Sequence, residues 1–133
     1  MFYFDANVFL FPQIYDPNIE EAAKAKEYLI ALVEGEIERC TSTLTWDEVI
    51  HVIRKYFGFE ACVAAGRSFL SFPNLKIVNV DLEITSIAQR IVEEFKVMPR
   101  DSIHAACALK YCNGEVISND SDFDAIEGIR RRF

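Results

Sequence analysis

The chain reads as an α/β protein, a three-layer α/β/α sandwich around a mainly parallel central sheet. Brief apolar bursts such as FYF at 2–4 resemble strands buried on both faces, where half-exposed strands would alternate. Longer segments repeat their apolar residues at helical spacing, and the two kinds of segment alternate along the chain, as parallel βαβ units do. With 133 residues, 51% of them hydrophobic and 13% aromatic, the chain can fill a core, and disorder is excluded. No repeat, low-complexity tract or linker interrupts it, so residues 1–133 are expected to form a single domain.

The elements follow in order. Phe2-Tyr3-Phe4 is a strand that stops at Asp5. Asp16-Pro17-Asn18 marks a turn, and residues 19–34 carry a helical stripe through Ala22, Ala25, Leu29 and Leu32, closed by Gly35. Residues 37–41 suit a second strand. A helix then starts at Thr45, with Trp46, Val49, Ile50, Ile53 and Phe57 as its apolar stripe and Gly58 as its stop. Residues 59–72 form another helix, ended by Pro73. Residues 75–80 are a third strand, and Asp81 caps a helix running to about Phe95. Residues 101–112, rich in Ala and Cys, make a helix able to pack closely against its neighbours, with Gly114 beyond its end. Residues 115–118 are a fourth strand and 129–133 a fifth, whose Arg130-Arg131-Arg132 run suits a sheet edge protected by charge.

The acids fall where this architecture makes them interesting. Open parallel sheets bind ligands beyond the carboxyl ends of their strands. Asp5 follows the first strand, Asp120 and Asp122 follow the fourth, and Glu48 and Asp101 lie near helix starts that lead from the same rim. Each has a local explanation as well. Thr45-x-x-Glu48 fits a capping box, Asp101 an N-cap or first-turn acid, and Asp120/Asp122 a turn and cap for a short helix through Ile126. Asp5 resists such a reading, because a carboxylate beside three aromatics is costly to bury unless paired or metal-bound. At about 100° per residue, Glu48 lies roughly 160° from its helix stripe, so it is no core residue; Asp47 is the alternative there.

A carboxylate ring suits Mg²⁺ or Mn²⁺, which take oxygen ligands and can activate water against a phosphodiester. His51 and His104 are secondary candidates. The four cysteines show no CxxC or zinc spacing and read as small core residues in a reducing compartment. The net charge of −7 argues against a surface that holds nucleic acid by general attraction, although five neutralised carboxylates would bring it to −2. Asp120-x-Asp122-x-Asp124 fails as a calcium loop, since Ala125 and Arg131 replace the required Gly and Glu. Neither a phosphate-binding glycine loop nor GxSxG occurs. The N-terminal stretch lacks signal-peptide features and no run approaches membrane-spanning length, which points to a cytoplasmic protein.

Four segments in order carry a family resemblance: FDANVFL, TWDEVIHVI, RDSIHAACAL and ISNDSDF. They make the chain similar to PIN-domain ribonucleases, in particular the VapC-like toxins of toxin–antitoxin pairs. The resemblance implies metal ligands at Asp5, Glu48, Asp101 and Asp120, with Asp122 an added or alternative ligand. Asn7 would orient a ligand or water. It further implies cleavage of RNA by metal-activated water, a homodimer, and inhibition by an antitoxin. Two rival readings are kept: a PIN-like scaffold for protein or RNA binding, and a receiver-like phosphoryl-transfer domain, for which no well-placed Lys is found. Arg100 could meet RNA phosphates; Arg54 and Lys55 could too, but read better as solvated charges at a helix C-terminus, and the Phe57/Phe59/Phe69/Phe72 set suits core or dimer contact.

Overall fold

Phe2–Phe4 forms strand β1, and helix α1 (Ala6–Ile14) follows with only Asp5 between them. Helix α2 spans Glu20–Val33, strand β2 Arg39–Ser42, helix α3 Thr43–Phe57 and helix α4 Phe59–Leu70. Strand β3 (Leu75–Val78), helices α5 (Leu82–Phe95) and α6 (Pro99–Tyr111), and strand β4 (Glu115–Ile117) complete the alternation. A 3-10 turn at Ser121–Ala125 then leads to strand β5 (Arg130–Arg132). This computed structural model describes all 133 residues. The sheet order is β3-β2-β1-β4-β5, and every neighbouring pair is parallel.

Consecutive strand residues point to opposite faces, so each strand feeds two cores. Tyr3 and Val116 face α5 and α6, where they join Ile84, Ala88, Ile91 and the small residues Ala105 to Ala108. Phe4 and Ile117 face the other way, packing with Val8 and Phe9 of α1, Leu32 of α2, Val49 and Ile53 of α3, and Phe69 of α4. A sheet between two helical layers is the three-layer sandwich expected. β1 lies at its centre, which places Asp5 in the middle of the carboxyl rim.

Several boundaries differ from expectation. Residues 6–14, which the apolar pattern leaves unassigned, are α1. Almost every position there is apolar and Pro12 interrupts the run, so no stripe marks the helix. β2 is shifted to 39–42 from 37–41. α3 begins at Thr43 rather than Thr45, with Ser42 as N-cap. That removes the capping box: the Thr45 hydroxyl is fully buried and bonds Thr41 Oγ1 (2.8 Å). α6 begins at Pro99, a residue suited to the first helical position, which makes Asp101 a first-turn acid rather than the cap.

Other expectations hold. The Arg run is an edge strand, its charges paired outward with Glu115 and Asp124. All four cysteines are free and buried. The aromatic set divides: Phe69 is buried and Phe72 packs beside it, but Phe57 and Phe59 stay exposed. No helix is long and apolar enough to cross a membrane.

Candidate active site

Asp5 leaves the sheet at the point where β1 becomes α1. Its backbone N–H still bonds the Ile117 carbonyl of β4 (3.1 Å), while its Oδ1 accepts from the Ala6 N–H (2.7 Å) as the helix cap. The residue is only 7% exposed. Ser118, the residue after β4, sits beside it and is fully buried. Its hydroxyl donates to Asp5 Oδ2 (2.7 Å) and accepts from Asn7 Nδ2 (3.1 Å) and the Asp120 N–H (3.0 Å). That hydroxyl is saturated, and it ties the first acid to the last. Asn7 Nδ2 also reaches Asp5 Oδ2 (3.3 Å), while Asn7 Oδ1 is buried with no partner in the chain. Asp120 caps the 3-10 turn by accepting from the Asp122 N–H (2.9 Å). The cap role weighed for these acids is therefore realised, and it coexists with their place on the rim.

Glu48 arrives from the second turn of α3. Asp47 points outward and is exposed, so Glu48 is the acid that faces inward. Its Oε1 lies 2.7 Å from His104 Nε2, and the same nitrogen lies 3.5 Å from Asp5 Oδ1. His104 Nδ1 meets the Tyr3 hydroxyl (2.6 Å), which also shares a hydrogen bond with Ser42 Oγ (2.8 Å). His51, by contrast, is exposed. Sequence reasoning left His104 secondary and missed Ser118, Tyr3 and Ser42. Two signals point to the first two of these: His104 stands one helical turn after Asp101, and Ser118 lies at the end of the strand that precedes Asp120; nothing in the sequence marks Tyr3 or Ser42.

Two groups of ligand atoms result, Asp5/Glu48/His104 and Asp101/Asp120/Asp122, each within 4.8 Å internally. They share one electrostatic field. Burial, then the charges of Asp120 and Asp5, push the Asp101 carboxyl up to about 6. Burial raises Asp5 as well, more than His104 and the Ser118 hydrogen bond lower it. For His104 burial works toward a lower pKa, but Asp5 and the Glu48 hydrogen bond outweigh it and the net shift is upward. Carboxyls raised chiefly by burial would gain from a cation that replaces their lost hydration and balances their charge. A hard divalent cation fits this donor set: carboxylate oxygens predominate, and the orphaned Asn7 Oδ1 adds a neutral oxygen without a partner.

A parallel α/β sandwich with acids gathered on its central carboxyl rim defines the class. A PIN domain family profile matches residues 2–129, and the chain belongs to that family. No curated protein matches it. Among solved structures, VapC20 of Mycobacterium tuberculosis, described as a sarcin-ricin loop cleaving toxin, is 17% identical. That match covers 98% of this chain and 99% of that one, with a TM-score of 0.74. A toxin–antitoxin complex from Klebsiella pneumoniae is 23% identical over 98% of this chain and 96% of that one, with a TM-score of 0.70. A DNA-bound VapBC from Salmonella typhimurium is also 23% identical, over the same shares, with a TM-score of 0.69.

Proposed function

We propose that the chain is a metal-dependent endoribonuclease and the toxin of a toxin–antitoxin pair. The observation that carries this reading is the gathering of Asp5, Glu48, Asp101, Asp120 and Asp122 into two adjoining groups from four separate segments, around a buried first acid. Local capping explains one or two of these positions, but it gives no reason for all five to meet.

In this reading Asp5, Glu48, Asp101 and Asp120 hold Mg²⁺ or Mn²⁺, with Asp122 an additional ligand. Such a cation supplies charge for the phosphate oxygens and lowers the pKa of water at the site. The chain's own residues do the positioning. Ser118 and Asn7 both donate to Asp5 Oδ2 while Oδ1 accepts the Ala6 N–H, so the second lone pair of Oδ1 and the free Asn7 Oδ1 would orient a ligand or water. Asp122 is exposed at the rim, where an incoming strand would pass. Arg100 and Arg54 are exposed, Arg54 with its guanidinium over the Phe59 ring (5.3 Å), and would be positioned to meet phosphates.

RNA as substrate agrees with the toxin description of the Mycobacterium tuberculosis neighbour, and an antitoxin partner agrees with the VapBC complexes. A groove of about 740 Å³ between α1, α3 and α4, lined by Phe9, Pro12, Val49, Ile53, Phe57 and Phe69 among others, would suit an apolar antitoxin segment. A homodimer is part of the same proposal. The test is cleavage of mixed RNA by purified protein, with and without Mn²⁺, beside Asp5→Asn and Asp101→Asn. Metal-dependent cutting that both substitutions abolish is the expected result. Equal cutting by all three proteins would expose a contaminant, and no cutting on any RNA would favour a binding scaffold.

A further inference from the structure

His104 stands with Asp5 and Glu48 as though it were the third member of a metal-ligand triad. Its hydrogen bonds argue otherwise. An ionised carboxylate is an acceptor only, so the 2.7 Å contact between Glu48 Oε1 and His104 Nε2 needs a proton on that nitrogen. The opposite nitrogen is engaged at 2.6 Å by the Tyr3 hydroxyl, which can accept from Nδ1–H or donate to a bare Nδ1. In either arrangement no ring lone pair is left for a cation. The ring is 1% exposed and packs beside Tyr3 and Phe123, so it cannot swing outward to free one.

We infer that His104 is a positioning residue, not a ligand: it donates Nε2–H to Glu48 Oε1 and fixes that carboxylate with its other oxygen facing the site. Tyr3, itself held by Ser42, sets the ring's orientation from behind. Glu48 needs such a fixture because it comes from α3, whereas Asp5 and Asp120 are locked to the sheet by Ser118. Glu48 Oε2 makes no hydrogen bond within the chain and remains the oxygen available to a cation. The ligand set is then oxygen alone, which favours Mg²⁺ or Mn²⁺ over metals that seek imidazole. This inference rests on the metal-site part of the proposed function but not on RNA cleavage.

The test has two arms. In the first, ¹⁵N-resolved NMR of the imidazole rings follows Nε2 of His104 in metal-free protein and after adding Mg²⁺. The expected result is a protonated Nε2 in both states, with its proton resonance displaced in Glu48→Gln. Loss of that proton on adding Mg²⁺, or a resonance indifferent to Glu48→Gln, would overturn the inference. In the second, calorimetry measures Mn²⁺ affinity. His104→Leu should weaken binding about 10- to 100-fold, as loss of an outer partner does, while His104→Gln, which keeps an amide donor, recovers most of it. A folded His104→Leu with wild-type affinity, or a His104→Gln as weak as His104→Leu, would refute the positioning role. Wild type that binds Mn²⁺ in this way yet cuts no RNA would remove the nuclease reading and leave the inference standing. If wild type bound no Mn²⁺, the metal-free spectra alone would decide for or against the Glu48–His104 clamp.

Discussion

Asp101 is the residue whose titration is most exposed to experiment. Its carboxyl sits at about 6 in the folded chain, raised first by burial and then by Asp120 and Asp5, against a reference near 3.9 when unfolded. A raised carboxyl favours folding only while protonated. Its contribution is complete below about pH 4 and is lost as pH rises through 6. Metal-free Asp101→Asn should therefore melt higher than wild type at pH 7.5, with the gain gone by pH 4. Because Asp101 is only half-buried, solvent screening keeps that gain modest. The same proton must leave before a cation binds, so Mn²⁺ affinity measured by calorimetry should fall as pH drops through about 6. A melting difference that did not change between pH 4 and 7.5 would contradict the assigned environment. The acids were legible in sequence because each follows a strand or lies within the first two turns of a helix. Ser118 was not, and His104 only as a secondary candidate, since a serine after a strand or a histidine in a helix acquires its full meaning only through partners far along the chain. His104 and Glu48 are 56 positions apart, and Ser118 and Asp5 are 113 apart.

At the scale of elements, the junction between α6 and β4 positions the last acids and depends on one glycine. Gly114 has φ of +79°, its N–H bonds the Ala108 carbonyl at the helix end (3.0 Å), and its carbonyl accepts from Arg130 of β5 (2.8 Å). A Cβ there would lie 2.0 Å from the Gly128 carbonyl oxygen, a backbone atom that cannot step aside cheaply. Gly58, which separates α3 from α4, also has positive φ (+93°), but a Cβ there would meet nothing within 4 Å. The pair separates strain from collision. Gly58→Ala should cost about 1 kcal/mol from backbone strain alone, whereas Gly114→Ala should cost at least about 2 kcal/mol more, read by urea denaturation. Equal costs would mean that the β4–β5 corner relaxes freely. Gly114 was visible in sequence as the residue beyond a helix end, but its collision partner was not. Helix α1 escaped notice for a different reason. A helix apolar on nearly every side has no amphipathic period to detect, and Pro12 is a breaker signal that the surrounding packing overrides.

For the whole molecule, the question is how a chain of net charge −7 tolerates five carboxylates gathered on one rim. The three-layer fold was legible because buried parallel strands leave short apolar bursts while amphipathic helices leave a helical period. The convergence was not, because it depends on β1 and β4 being neighbours in the strand order, a fact of topology rather than of spacing. Once they are neighbours, the folded state alone assembles the acids, so a cation that binds them stabilises the native chain. At a hundredfold excess over the dissociation constant that linkage is worth about 2.7 kcal/mol, which corresponds to a melting shift on the order of 10 °C for a chain of this size. Mn²⁺ should thus raise the melting temperature of wild type by several degrees and that of Asp5→Asn by much less. The quantity to compare is the shift and not the melting temperature itself, because Asp5→Asn also alters the hydrogen bonds from Ser118 and Asn7. Asp47→Asn supplies the control. Asp47 is acidic, adjacent to Glu48 and exposed, so removing its charge changes the net charge equally but should leave the Mn²⁺ shift intact. If Asp47→Asn and Asp5→Asn reduced the shift alike, the cation would be responding to total charge, and a built site around Asp5 would have to be abandoned.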